Sequence, residues 1–174
     1  MYAQAKAHAP VIDTSAGFSQ FARERHYQLS MPLPPQINVE TVRGCNADCE
    51  FCYSGTRIAK GATDYRRTMP KNMFERLVSQ LALAEYKGRI SFHVNNEPLL
   101  DPSLSVRIRE LKDACQESVA RVMTNGIRLT HEVAEKLFDA GLDMLDVNNY
   151  HGSDRISELV TSLIAQYGEP HSSQ

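Results

Sequence analysis

From Gln36 onward the chain alternates between two hydrophobic periods. "INVETV" places β-branched residues at every second position, which predicts a strand from Ile37 ending at Arg43. "MPKNMFERLVSQLALAEYKG" changes period: Met73, Phe74, Leu77, Val78 and Leu81 fall on one helical face, with Pro70 suited to the first turn and Gly88 to the stop. "RISFHV" returns to a strand. "DPSLSVRIRELKDACQ" predicts a second helix, with Asp101 as N-cap and Pro102 at the first helical position. "VARVMTNG" is a third strand entering a turn, and "THEVAEKLFDAG" a helix from Thr130 to Gly141. "LDMLDV" is a fourth strand. "SDRISELVTSLIAQYG" is a fourth helix, whose Ile156, Leu159, Val160, Leu163 and Ile164 form one stripe.

Four βα units in strict alternation imply an α/β fold with a parallel sheet and right-handed crossovers. Such sheets collect their chemistry at the carboxyl ends of the strands. Those ends carry the unusual residues. The cysteine-rich "GCNADCEFCY" follows the first strand, "NNEP" the second, "TNG" the third and "NNY" the fourth. Before Gln36 the pattern differs. "AGFSQFARERHYQLS" is amphipathic, and "MPLPPQ" with its three prolines fits neither a helix nor a central strand. The expected organisation is therefore an N-terminal arm and Pro-rich linker over 1–35, a core over 36–168, and a polar tail over 169–174.

The 174 residues are enough for one domain with a real core and no disulfide staples. Net charge is −2 and the pI near 6.3, which argues against a broad nucleic-acid or membrane surface. No apolar run reaches the roughly 18 residues of a membrane span. "MYAQAKAHAP" has no apolar signal core. A reducing, cytoplasmic setting is expected, and there clustered cysteines read as a metal or redox site before disulfides.

Cys45-x3-Cys49-x2-Cys52 brings three soft thiolates together, which favours zinc or an iron–sulfur cluster. A zinc site usually offers a second ligand pair, and this chain has none. His26, His93 and His151 stand as candidate fourth ligands without a recognisable spacing. An open fourth position fits a cubane cluster whose unique iron binds something else. The remaining cysteine, Cys115, shares a helix face with Leu104, Ile108 and Leu111 and reads as core. Arg66-Arg67 reads as solvated surface, and His93 as either buried or facing the rim.

These motifs resemble the radical S-adenosylmethionine (SAM) superfamily. Phe51 stands before the last cysteine of the motif, "HVNNEPLLDP" resembles the family's Gly-Gly-Glu-Pro segment, and "MTNGIRLT" resembles the Thr-Asn-Gly turn frequent in its SPASM/twitch-type branch. "GLDMLDVNNY" resembles the fourth strand, and the likeness covers about residues 36–167. It implies a partial (βα) barrel and a [4Fe–4S] cluster on Cys45, Cys49 and Cys52, with SAM completing the unique iron. Reductive cleavage of SAM would give methionine and a 5′-deoxyadenosyl radical that abstracts hydrogen from a peptide or small-molecule substrate. An electron donor such as flavodoxin or ferredoxin is implied.

The resemblance also implies roles at the cofactor. The backbone near Phe51 and Tyr53 would flank the adenine. Asn95, Asn96 and Glu97 would occupy the segment that meets the methionine amine, with asparagines where the family has glycines. Asn148 would contact the ribose or carboxylate, and Asn125 the substrate or the rim. Simpler readings stand beside these: Asn125-Gly126 as an ordinary turn, Glu97 as a loop cap, and Asn148 and Asn149 as turn formers.

The resembled barrel usually has six units against the four found here, which leaves no place for the fifth-strand motif that helps hold adenine. A truncated gene product, a homodimer that completes the sheet and a natural minimal form are the three explanations. The alternatives in function are a glycyl-radical-enzyme activase within the same class, a non-catalytic iron–sulfur half-barrel, and a structural zinc protein.

Overall fold

The computed structural model describes residues 33–53 and 67–168. The N-terminal arm up to residue 32 with His26, the stretch 54–66 with Arg66, and the tail 169–174 lie outside these residues. The strands are β1 (Gln36–Asn38), β2 (Arg89–Ser91), β3 (Val119–Thr124) and β4 (Met144–Val147). The helices are α1 (Lys71–Leu83), α2 (Leu104–Ala114), α3 (His131–Asp139) and α4 (Asp154–Tyr167), with a 3₁₀ turn at Pro98–Leu100 before α2. The sheet order is β1-β2-β3-β4, and every neighbouring pair is parallel. This is the expected α/β architecture.

The helices cover one face of the sheet. Ile90, Ala120 and Val122 point into a core with Phe74 and Val78 of α1, Ile108 and Leu111 of α2, and Leu137 of α3. Leu159 and Leu163 of α4 pack with Leu129 and Ala134, and Leu145 and Val147 of β4 lean on that cluster. Cys115 lies in the core, as its helix face predicted. No helix among the described residues is long and apolar enough to cross a membrane.

Several boundaries differ from the expectation. β1 ends at Asn38 rather than Arg43. Val39 still donates to the Ser91 carbonyl at 2.8 Å, but Val42 then pairs antiparallel with Thr68. α1 ends at Leu83 rather than at Gly88, and Glu85 takes φ 49° in the turn that follows. Met73 is 55% exposed, so it is not part of the buried stripe. The second helix begins at Leu104 with Ser103 at its N-cap, two residues later than expected; Asp101 Oδ1 instead accepts from the Ser103 N–H at 2.9 Å. Its other oxygen accepts from buried Arg107 Nε at 2.9 Å, and the Arg107 guanidinium lies 5.0 Å from the Phe74 ring centre.

Among the described residues β1 and β4 are the sheet edges. A cavity of about 490 Å³ runs beside β4, lined by its residues and by Phe138, Val160, Ile164 and Tyr167.

Candidate functional site

The cysteine loop leaves β1 through Gly44, whose φ of 112° is a conformation that glycine adopts without steric cost. Its base is strapped on one side. The Arg43 N–H donates to the Arg67 carbonyl at 2.8 Å, and the Met69 N–H to the Thr41 carbonyl at 2.7 Å. On the other side the Gly44 carbonyl accepts from the Glu97 N–H at 2.6 Å, which ties the loop to the segment after β2. Within the loop the Cys52 N–H donates to the Cys49 carbonyl at 3.0 Å. All three cysteines are free thiols; Cys49 is buried, and Cys45 and Cys52 are half-buried. Burial pushes the Cys45 thiol pKa up, while a backbone hydrogen bond at Ala47 and the Asn125 side chain oppose that shift.

Glu97 is the hub of the rim. Its side chain is almost fully enclosed, with the residue 2% exposed. Oε1 accepts from the Leu99 N–H at 3.0 Å and the Thr124 hydroxyl at 2.6 Å, and Oε2 accepts from the Asn125 N–H at 2.9 Å. Burial still raises its pKa, against the lowering effect of those bonds. The carboxylate thus joins the ends of β2 and β3; it caps a loop across two strand ends. Asn125 stands at the end of β3. Its Oδ1 accepts from the Ile127 N–H at 2.9 Å, and its Nδ2 donates to Asn46 Oδ1 at 2.8 Å and to Cys45 Sγ at 3.4 Å. Asn125-Gly126 is therefore both the expected turn and a contact to the cysteine loop.

The end of β4 reaches the same loop. His151 Nε2 lies 3.7 Å from Cys49 Sγ, and the Tyr150 ring meets Phe51 edge-on at 5.1 Å between centres. Phe51 and Tyr53 are both exposed. Asn148 continues the ladder through its N–H to the Thr124 carbonyl at 2.8 Å. Asn149 is the turn former of the pair: its Oδ1 accepts from the Ser153 N–H at 2.9 Å and its Nδ2 donates to the Ser153 carbonyl at 2.9 Å. After β2, Asn96 Oδ1 accepts from the Val94 N–H at 2.8 Å, whereas its Nδ2 is buried with no partner among the described residues. Asn95 is exposed beside it.

Below this rim, the sheet face turned away from the helices is polar. Ser91 Oγ and His93 Nδ1 are 2.8 Å apart, and Arg121 Nε donates to Asp146 Oδ2 at 2.6 Å. The register sets Ser91 beside Arg121 and Met123 beside Asp146. Burial and the Arg121 charge hold the His93 pKa below the usual histidine value. Residue by residue reading missed this face. The signal for it was Arg121 between Ala120 and Val122, since an all-parallel strand covered on both sides is apolar throughout. It also missed the Tyr150–Phe51 contact and the Thr124 hydroxyl.

The donor set fits a cluster better than a single ion. A structural zinc needs four converging donors. Among the described residues, no group of three His, Cys, Asp or Glu side chains converges to hold one ion. In a cubane each iron takes its own ligand, and the three free thiols on this one short loop are the number such a cluster would take from the protein. The unpartnered Asn96 amide is a spare donor at the same rim.

Comparison with known proteins agrees with this geometry. The model of the radical SAM superfamily matches residues 39–166. An S-adenosyl-L-methionine-dependent 2-deoxy-scyllo-inosamine dehydrogenase of Niallia circulans is 27% identical over 117 residues, covering 67% of this chain and 45% of that protein. The crystal structure of BtrN in an open conformation superposes with a TM-score of 0.62 at 27% identity, over 71% of this chain and 54% of that one. BtrN in complex with AdoMet and 2-DOIA gives a TM-score of 0.61 at 24% identity, over 74% of this chain and 55% of that one. The chain thus spans about half the length of the proteins it matches.

Proposed function

This chain belongs to the radical SAM superfamily, and we propose that Cys45, Cys49 and Cys52 hold its cluster while the rim above the sheet holds SAM. Its cofactors are those of the superfamily, a [4Fe–4S] cluster and S-adenosylmethionine. When bound and reduced by one electron, these supply a 5′-deoxyadenosyl radical able to abstract hydrogen from a substrate. The observation that carries the reading is convergence: the segments after β2, β3 and β4 all contact the cysteine loop, through Glu97 to Gly44, Asn125 to Cys45 and His151 to Cys49.

The chain's own residues divide the work. Glu97 fixes the ends of β2 and β3, and its carboxylate is fully engaged in doing so. The spare Asn96 amide would donate to the methionine carboxylate of SAM. Phe51 and Tyr53 offer exposed aromatic surface to the adenine, and Asn148 a polar group at the end of β4. For the substrate, His93, held by buried Ser91, and the Arg121–Asp146 pair present fixed donors and acceptors with nearly balanced charge. That favours a small polar molecule rather than an apolar one, and the Niallia circulans relative, named for an amino-bearing cyclitol, supports the same class.

The test is anaerobic reconstitution with iron and sulfide, then dithionite and SAM, with 5′-deoxyadenosine read by chromatography. Iron and sulfide near four each per chain, and product from the wild type but not from Cys49→Ala, are expected. One zinc per chain without sulfide would refute the cluster. A loaded cluster with no product would favour a non-catalytic half-barrel.

A further inference from the structure

We propose that Asn125 is a positioning residue for the cluster: its side-chain amide donates a hydrogen bond to the Cys45 thiolate and so raises the reduction potential of the group that thiolate holds. The inference rests on the reading of Cys45 as a cluster ligand and adds what sets the electron's energy there.

The amide orientation is fixed by its neighbours. Only an oxygen accepts from the Ile127 N–H, and Oδ1 does so at 2.9 Å, which leaves Nδ2 facing Asn46 Oδ1 at 2.8 Å and Cys45 Sγ at 3.4 Å. The backbone beneath is held as firmly. Glu97 Oε2 accepts the Asn125 N–H at 2.9 Å, and the Thr124 hydroxyl oxygen accepts the Gly126 N–H at 3.1 Å. Asn125 itself is only 7% exposed, so water does not compete freely for the amide. The donor is therefore already in place before any metal arrives.

Its effect has a definite sign. A reduced cluster carries one more negative charge than an oxidised one, and part of that charge resides on the ligand sulfurs. A hydrogen-bond donor aimed at a sulfur stabilises the more negative state and moves the potential upward.

The experiment is a redox titration of the reconstituted protein, followed by electron paramagnetic resonance, on the wild type, Asn125→Asp and Asn125→Ala. Aspartate keeps the oxygen that accepts from Ile127 and the turn it closes, but replaces the donor with an acceptor. Iron and sulfide content matching the wild type is expected in both variants. At a fixed applied potential the reduced-to-oxidised ratio falls about tenfold or more for Asn125→Asp, a shift of about 59 mV for one electron, and by less for Asn125→Ala. Loaded variants whose potential equals or exceeds that of the wild type overturn the inference alone. Loss of cluster loading in both variants, with circular dichroism unchanged, also overturns it, since Asn125 would then build the site rather than tune it. A wild type that takes up no iron overturns the reading beneath the inference, and the inference with it.

Discussion

Glu97→Ala tests whether the rim is held by one buried carboxylate. Three hydrogen bonds end on that side chain: from Leu99 N–H at 3.0 Å, Thr124 Oγ1 at 2.6 Å and Asn125 N–H at 2.9 Å. Alanine leaves the two backbone donors without an acceptor, at about 1–3 kcal/mol each. The Thr124 hydroxyl keeps a role, because it also accepts from Gly126 N–H. Removing a carboxylate whose ionisation burial disfavours returns part of the loss. The net expectation is about 2–4 kcal/mol, a large share of the roughly 5–15 kcal/mol of a typical domain. Urea denaturation of the metal-free protein, followed by far-ultraviolet circular dichroism, reads it as a lower midpoint with an unchanged slope. Glu97→Gln separates shape from acceptance. It keeps one oxygen for Leu99 and Thr124 but sets an amide N–H₂ against the Asn125 N–H, so about 1–2 kcal/mol is expected. A Glu97→Ala loss under ~0.5 kcal/mol, the range of ordinary surface substitutions, would refute the hub.

Arg107→Ala strips the partner from the buried Asp101 carboxylate and should cost about 3–5 kcal/mol; adding Asp101→Ala should recover part of it in a double-mutant cycle, and simple additivity would argue against the pair. Gly126→Ala puts a Cβ 2.9 Å from Val147 Cγ1 and 3.0 Å from Ile156 Cγ2, at a backbone φ of +75°. A loss of about 1–3 kcal/mol is expected in thermal melts, and an unchanged melt would mean the turn has room to relax. Burial raises the Glu97 pKa above 4.5, so the fold prefers the protonated form. The associated stability is full below the unfolded value and is lost as pH rises through the folded one. The urea midpoint of the wild type should therefore fall relative to Glu97→Gln on going up from pH 4.5, and a relative rise would contradict the assigned cause.

The βα alternation was legible because each element announces itself by its own period, and the rim followed because parallel strands place all four polar clusters at one end. The stretch "INVETV" shows where period stops being informative. Alternation was right that Val39 and Thr41 are buried, whereas Val42, off that period, is buried as well. It was silent on Val42, which pairs with Thr68 rather than extending β1 alongside β2. The loop cap at Glu97 and the turn at Asn125 were legible, but their long-range partners were out of reach for the same reason. Their partners lie 27 to 28 and 79 to 80 residues away along the chain, a separation only the fold closes. Asn148 and Asn149 are identical as letters, yet only Asn149 bonds to Ser153 with both ends of its amide.

Arg121 carried a message that the residue itself could have given. A guanidinium between two buried residues of a central parallel strand fits a second sheet face that carries no helix among the described residues. That face bears the Ser91–His93 and Arg121–Asp146 pairs and lies directly below the strand ends that meet the cysteine loop. Among the described residues the two faces of the sheet thus do different jobs. The apolar side stabilises the strands through Phe74, Ile108 and Leu111, and the polar side holds the hydrogen-bonded pairs below the rim.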